Sequence, residues 1–137
     1  VSPERVFDAW LDPEKARRFL FTESHEGPKE VIRAEIDARV GGSFLFVTRS
    51  NGAEIDHVGE YLEIDRPRRL VFLFTVPSFW SERTRVAIDI VPRDGGCELT
   101  LTHEGLLPEH EDSIFGGWTV FLERLETTEF GSENLTH

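Results

Sequence analysis

Apolar and polar positions along this chain change period twice. In the first twenty residues Val6, Phe7 and Trp10 recur at helical spacing with Leu11 beside them, and Ala16, Phe19 and Leu20 form a second apolar side. Each run opens on a helix-start signal, Ser2-Pro3 and then Asp12-Pro13. An oxygen-bearing side chain at the cap accepts from free backbone N–H groups, and proline at the first helical position has no N–H to leave unpaired. Lys15, Arg17 and Arg18 give the second helix its wet side. The polar stretch Thr22 to Lys29, with Gly27-Pro28, reads as a loop.

From Glu30 the period falls to two. Ile32, Ala34, Ile36, Ala38 and Val40 alternate with Arg33, Glu35, Asp37 and Arg39, which predicts a half-buried strand. Gly41-Gly42 turns the chain into a second strand, with Phe44, Phe46 and Thr48 on one face and Leu45 and Val47 on the other. Asn51-Gly52 is a strong hairpin signal. A third strand runs from Ile55 to Ile64 and stops at Asp65-Arg66-Pro67. Leu70 to Val76 is apolar on both faces, as a central strand is. Phe79 and Trp80 stand in the loop from Pro77 to Ser81. Thr84, Val86, Ile88 and Ile90 form the fifth strand, and Asp94-Gly95-Gly96 turns into the sixth, Cys97, Leu99, Leu101 and His103. Six strands in succession predict an antiparallel meander.

The helical period returns near Pro108. Ile114, Trp118, Phe121, Leu122 and Leu125 make one stripe, with Glu123, Arg124 and Glu126 opposite. Glu109, Glu111 and Asp112 sit in the first turns, where the helix dipole favours acids. Gly116-Gly117 interrupts this pattern, and each glycine in a helix interior costs about 1 kcal/mol relative to alanine. The pair either breaks the helix or lets its backbone approach the sheet. The polar residues 131–137 are expected to be a flexible tail. The chain therefore reads as one α+β domain over residues 1–130, a long C-terminal helix anchored by Trp118 closing an antiparallel sheet.

Composition sharpens this picture. Eleven Phe and three Trp against one Tyr and no Met supply rigid aromatic surface, for a filled core or for a lined cavity. A net charge of −11 disfavours nucleic acid and anionic membranes as partners. Cys97 is the only cysteine, so no intrachain disulfide forms. No apolar run reaches the roughly 20 residues of a membrane span and no signal peptide opens the chain, so a cytoplasmic protein is expected.

Candidate chemistry is sparse. His25, His57, His103, His110 and His137 show no metal-ligand spacing, and there is no nucleophile elbow or phosphate loop, so neither metal nor cofactor is expected. His103 shares strand parity with Leu99 and Leu101. It is either a hydrogen-bonded structural histidine or a ligand contact. On the third strand, Ile55, His57, Gly59 and Tyr61 share one parity, and Asp56, Val58, Glu60, Leu62 and Ile64 the other. An inward Glu60 or His57 near Tyr61 or His103 would permit acid–base chemistry. The aromatics are the stronger candidates: Phe44, Phe46, Phe72, Phe74, Phe79, Trp80 and Trp118 can line one concave apolar site, with His103 at its end. Phe79-Trp80 covers the mouth of that site, meets a partner, or folds back onto the core.

Several segments resemble a known family in order and spacing. They are Ser2-Pro3-Glu4-Arg5-Val6-Phe7-Asp8-Ala9-Trp10 with Asp12-Pro13-Glu14, then Val40-Gly41-Gly42-Ser43-Phe44, then Gly59-Glu60-Tyr61-Leu62-Glu63-Ile64-Asp65-Arg66-Pro67. Leu99-Thr100-Leu101-Thr102-His103-Glu104-Gly105 and Gly117-Trp118 complete the set. Over nearly the whole chain the sequence resembles the SRPBCC (START-like) superfamily, in particular the family related to the activator of the heat-shock protein 90 ATPase. The resemblance implies a helix-grip fold, a curved antiparallel sheet wrapped around the C-terminal helix with a cavity between them. Such members usually carry a strand before the first helix, and this chain starts at the helix. Either upstream residues complete the sheet or it has one strand fewer. Where the family often has paired tryptophans, this chain has Phe19-Leu20.

The resemblance implies an apolar or amphipathic small molecule as ligand, and the protein is expected to be a monomer or homodimer. Two other functions are implied less directly. One is a cyclase or dehydratase using His103 with Glu60 or Tyr61; the other is a chaperone-linked interaction module, although stand-alone members lack the extra N-terminal domain of the true activator.

Overall fold

Both helix-start signals are used. In the computed structural model, which describes residues 2–21, 23–24, 27–28, 30–50, 52–77, 83–93, 96–105, 118–123, 125 and 135–136, helix α1 spans Pro3–Leu11 and α2 spans Pro13–Ala16. The Ser2 hydroxyl accepts from the Arg5 N–H at 3.3 Å, and the Asp12 carboxylate accepts from the Glu14 N–H at 3.0 Å. Val6, Phe7, Ala9 and Trp10 bury one face of α1, and turns after α2 bury Phe19, Leu20 and Phe21. Among the described residues, no helix is long and apolar enough to cross a membrane.

The segment expected as a loop contains a two-stranded antiparallel ribbon, β1 (Glu23–Ser24) with β2 (Gly27–Pro28). The main sheet follows. Strands β3 (Glu30–Ile36), β4 (Ser43–Ser50), β5 (Ala53–Asp65), β6 (Arg69–Thr75), β7 (Thr84–Arg93) and β8 (Gly96–Glu104) pair antiparallel with their chain neighbours. This is the predicted six-strand meander. Residues 118–123 are helical and are termed α3. A two-residue strand β9 (Leu135–Thr136) lies parallel to β8 at Cys97 and Glu98, so among the described residues the sheet has seven strands.

One expectation needs correction, and two concern segments that are described only in part. The long C-terminal helix is not shown: α3 carries Trp118, Phe121 and Leu122, with Leu125 beyond it, all buried, and Pro108 to Gly117 lie outside the described residues. Of the tail, only Leu135–Thr136 are described, and they pair with the edge of β8. Finally, β3 ends at Ile36 rather than Val40. The Asp37 N–H donates to the Ser43 carbonyl and the Gly42 N–H to Arg39, with Gly41 at φ 85°, so the turn starts early. Ala38 is exposed and Val40 is 63% exposed.

Two bulges set which side chains face inward. The register shifts between Val31 and Arg33, so Val31, rather than Ile32, joins Ala34 and Ile36 against the core. A second shift between Tyr61 and Glu63 makes Leu62 the extra residue, 40% exposed, and brings Ile64 opposite Leu70. Between the bulges, Phe44 pairs with Gly59 and Phe46 with His57. Thus the His57, Gly59 and Tyr61 parity faces inward, and Glu60 faces the other side. The Phe44 ring lies across β5 at Gly59, where a Cβ would meet both that ring and the Leu73 carbonyl oxygen. Gly59→Ala is therefore expected to cost about 1–3 kcal/mol, the scale of overpacking a filled core. A wild-type urea midpoint for this variant would show that Phe44 and the β5–β6 ladder yield freely.

Candidate functional site: an aromatic concave face

Ladder pairing decides what the concave face presents. Phe44 and Phe46 on β4, Phe72 and Phe74 on β6 and His103 on β8 all point to it, and Trp118 of α3 closes over them. Six of the eight predicted site residues are therefore gathered in one core. Phe79 and Trp80 lie outside the described residues. The rings meet at aromatic contact distances: Phe44–Phe72 at 5.3 Å edge-on, Phe74–Trp118 at 6.0 Å edge-on, and Trp10–Trp118 at 6.3 Å.

His103 belongs to a hydrogen-bonded chain with only one consistent direction. The Trp118 indole Nε1–H, a donor only, donates to His103 Nδ1 at 2.9 Å. The neutral ring must then carry its proton on Nε2, which donates to Thr84 Oγ1 at 2.7 Å. The Thr84 hydroxyl in turn donates to the Phe74 carbonyl at 2.7 Å. Helix α3 is thereby tied through β8 and β7 to β6. Burial drives the His103 pKa down to about 4, because a charged imidazole would lose its hydration there. Both ring nitrogens are engaged, which makes His103 the structural histidine of the two readings.

The residues proposed for acid–base chemistry do not converge. Glu60 stands on the convex face and pairs with Arg83 at 3.1 Å, beside a shallow hollow of about 180 Å³ that also touches Ser43 and Thr75. Tyr61 is inward, its phenol pKa raised chiefly by burial. It lies level with His103 but three strands away, through Phe72 and Val86. At strand spacing that is roughly 14 Å. Among the described residues, no group of three or more His, Cys, Asp or Glu side chains is placed to hold a metal ion.

Among the described residues this face is packed by its own side chains. A void of about 10 Å³ remains, bordered by Trp10, Phe21, Phe44, Tyr61, Phe72 and Trp118 among others. That is room for one water at most. The indole Nε1–H of Trp10 is buried without a hydrogen-bond partner among the described residues. Much of the remaining space is taken by Phe21. Its ring stacks on His57 at 4.3 Å and Phe74 at 5.6 Å, and meets Phe46 and Phe121 edge-on at 5.3 and 5.5 Å. Sequence reasoning missed Phe21, Thr84 and the role of the Trp10 N–H. Helical spacing marks Trp10 as buried, but nothing marks Phe21, whose inward aim depends on a backbone φ of 60°.

One sheet face closed by helices from both ends of the chain is the architecture of START-like domains, the class to which this α+β fold belongs. Within that class, the family model described as activator of Hsp90 ATPase homolog 1-like protein matches residues 1–128, and the chain belongs to this family. Solved structures agree in fold. A protein of Chromobacterium violaceum is 25% identical, with 93% of this chain and 89% of that one covered and a TM-score of 0.77. The solution structure of an AHSA1-like protein from Aeromonas hydrophila is 21% identical over 99% and 92% of the two chains, TM-score 0.76. A Plasmodium falciparum protein described as an HSP90 activator is 22% identical over 94% and 89%, TM-score 0.68. No curated protein matches the chain.

Proposed function

We propose that the protein binds a small apolar or amphipathic molecule between the concave sheet face and the helices, and that its own side chains fill this space when no ligand is bound. The observation that carries the reading is the Trp10 N–H, a buried donor without a partner among the described residues, on a side chain that borders a small, mainly aromatic void. Binding sites combine apolar walls with few polar groups, and a buried donor without an acceptor is unfavourable unless something supplies one.

Native mass spectrometry of freshly purified protein is expected to show a species heavier by one small molecule, removable by organic extraction. Re-adding the extracted compound at about 100 times its Kd should stabilise the fold by about 2.7 kcal/mol in thermal denaturation. A bare mass from several expression hosts, with no stabilisation by fatty acids, sterols or aromatic polyketides, would end this reading. The family's description favours a second one, that the chain acts on a chaperone ATPase. The two separate in one assay: a chaperone module raises Hsp90 ATP turnover without added ligand, whereas a ligand-binding domain leaves it unchanged.

A further inference from the structure

We propose that Phe21 is an intramolecular occupant of this site, standing where the aromatic ring of a ligand binds, and that the ligand is a planar aromatic molecule bearing one acceptor oxygen. The inference rests on the ligand-binding reading and specifies its chemistry.

The place held by Phe21 is built for a ring. His57 and Phe74, nearly parallel at 9°, form a floor on which Phe21 lies at 25° and 19°. Phe46 and Phe121 stand edge-on as walls, at 63° and 75°. A planar aromatic gains dispersion from such a floor and edge contacts from such walls, whereas an aliphatic chain or a sterol fills them poorly. The same ring borders the void that Trp10 lines. A molecule replacing Phe21 therefore enters space that Trp10 also borders, and a carbonyl or phenolic oxygen placed to reach the Trp10 N–H, which has no partner among the described residues, would accept from it.

Phe21 is also held by a device that can release it. It belongs to neither helix nor strand, and its φ of 60° lies where glycine, not a residue with a Cβ, is at ease. Return to negative φ would relieve that conformation and swing the ring off the sheet. Two arrangements of one short turn, ring in or ring out, are what a ligand can select between. While the ring is in, the apparent affinity for a ligand is reduced by the fraction of open molecules.

The test is Phe21→Gly, which removes the ring and suits the backbone. Acetophenone is the probe and cumene its counterpart without an acceptor, both followed by NMR titration. Phe21→Gly is expected to bind acetophenone about tenfold or more tightly than wild type, and more tightly than it binds cumene. The preference should vanish in Phe21→Gly/Trp10→Phe. Equal acetophenone affinity in folded Phe21→Gly and wild type would overturn the occupant role. An equal response to the two probes would overturn the oxygen anchor. If Phe21→Gly does not fold, wild type decides: saturating acetophenone should abolish the nuclear Overhauser contact between the Phe21 and His57 rings and spare that between Trp118 and Phe121, and persistence of the first contact refutes the proposal. Probe binding by the variant without any natural ligand on wild type would sink only the ligand-binding function. A copurified ligand with no gain in the variant would sink only the role of Phe21.

Discussion

Replacing Trp118 by alanine is expected to destabilise the fold by about 3–5 kcal/mol, the range for deleting a buried large aromatic. Trp118 is 4% exposed, and its ring meets those of Trp10, Phe21, Phe74, His103 and Phe121. Truncation loses that packing and also leaves His103 Nδ1 without its donor. The two parts separate experimentally. Trp118→Phe keeps most of the packing and removes only the N–H, so it should cost about 1–3 kcal/mol, the scale of one unsatisfied buried acceptor. Chemical denaturation of both variants checks this, the midpoint shift being read at constant slope. A loss under about 1 kcal/mol in the alanine variant would mean that α3 is not fixed to the sheet by this residue. Domains of this size are stable by roughly 5–15 kcal/mol, so the alanine variant removes a large share of the total.

The fold was more legible than the site, for identifiable reasons. Alternation along Phe44–Thr48 and Thr84–Ile90 persists without interruption, and those strands face as their pattern implies. Bulges break the rule elsewhere. Ile32 shares the parity of Ala34 and Ile36 yet a bulge turns it from their face, and Ile64 shares the parity of the outward Glu60 yet a bulge brings it to the core. Nothing in composition marks a bulge, since it arises from how two strands fit. The helix caps were legible because a single side chain and the following proline carry them. Phe21 was not, because a positive φ at a phenylalanine is imposed by packing. The aromatic count was open to a filled core or a lined cavity, and among the described residues the side chains that would line a cavity pack on one another.

Stability is expected to fall as the solution is acidified from about pH 6.5 to about pH 4, through His103. Its folded-state pKa, about 4, lies below the ordinary value of 6.5 because the ring is buried. Between these values the unfolded chain binds a proton that the folded chain refuses, so stability rises with pH across this window and is complete above it. A separation of about 2.5 pH units corresponds to up to roughly 3 kcal/mol. The geometry gives the same sign. A proton on Nδ1 would point a donor at the Trp118 N–H and break the chain that runs to Thr84 and Phe74. Asp8, whose pKa the Arg66 guanidinium holds below the usual carboxylate range, adds its own loss on further acidification. The informative quantity is therefore a difference. His103→Gln can accept from Trp118 and donate to Thr84 but does not titrate. Its stability curve should lie below wild type at pH 7.5 and approach or cross it by pH 4.5. Parallel curves for the two proteins, or an imidazole that titrates near 6.5 by NMR, would show that His103 is not a buried neutral link between helix and sheet.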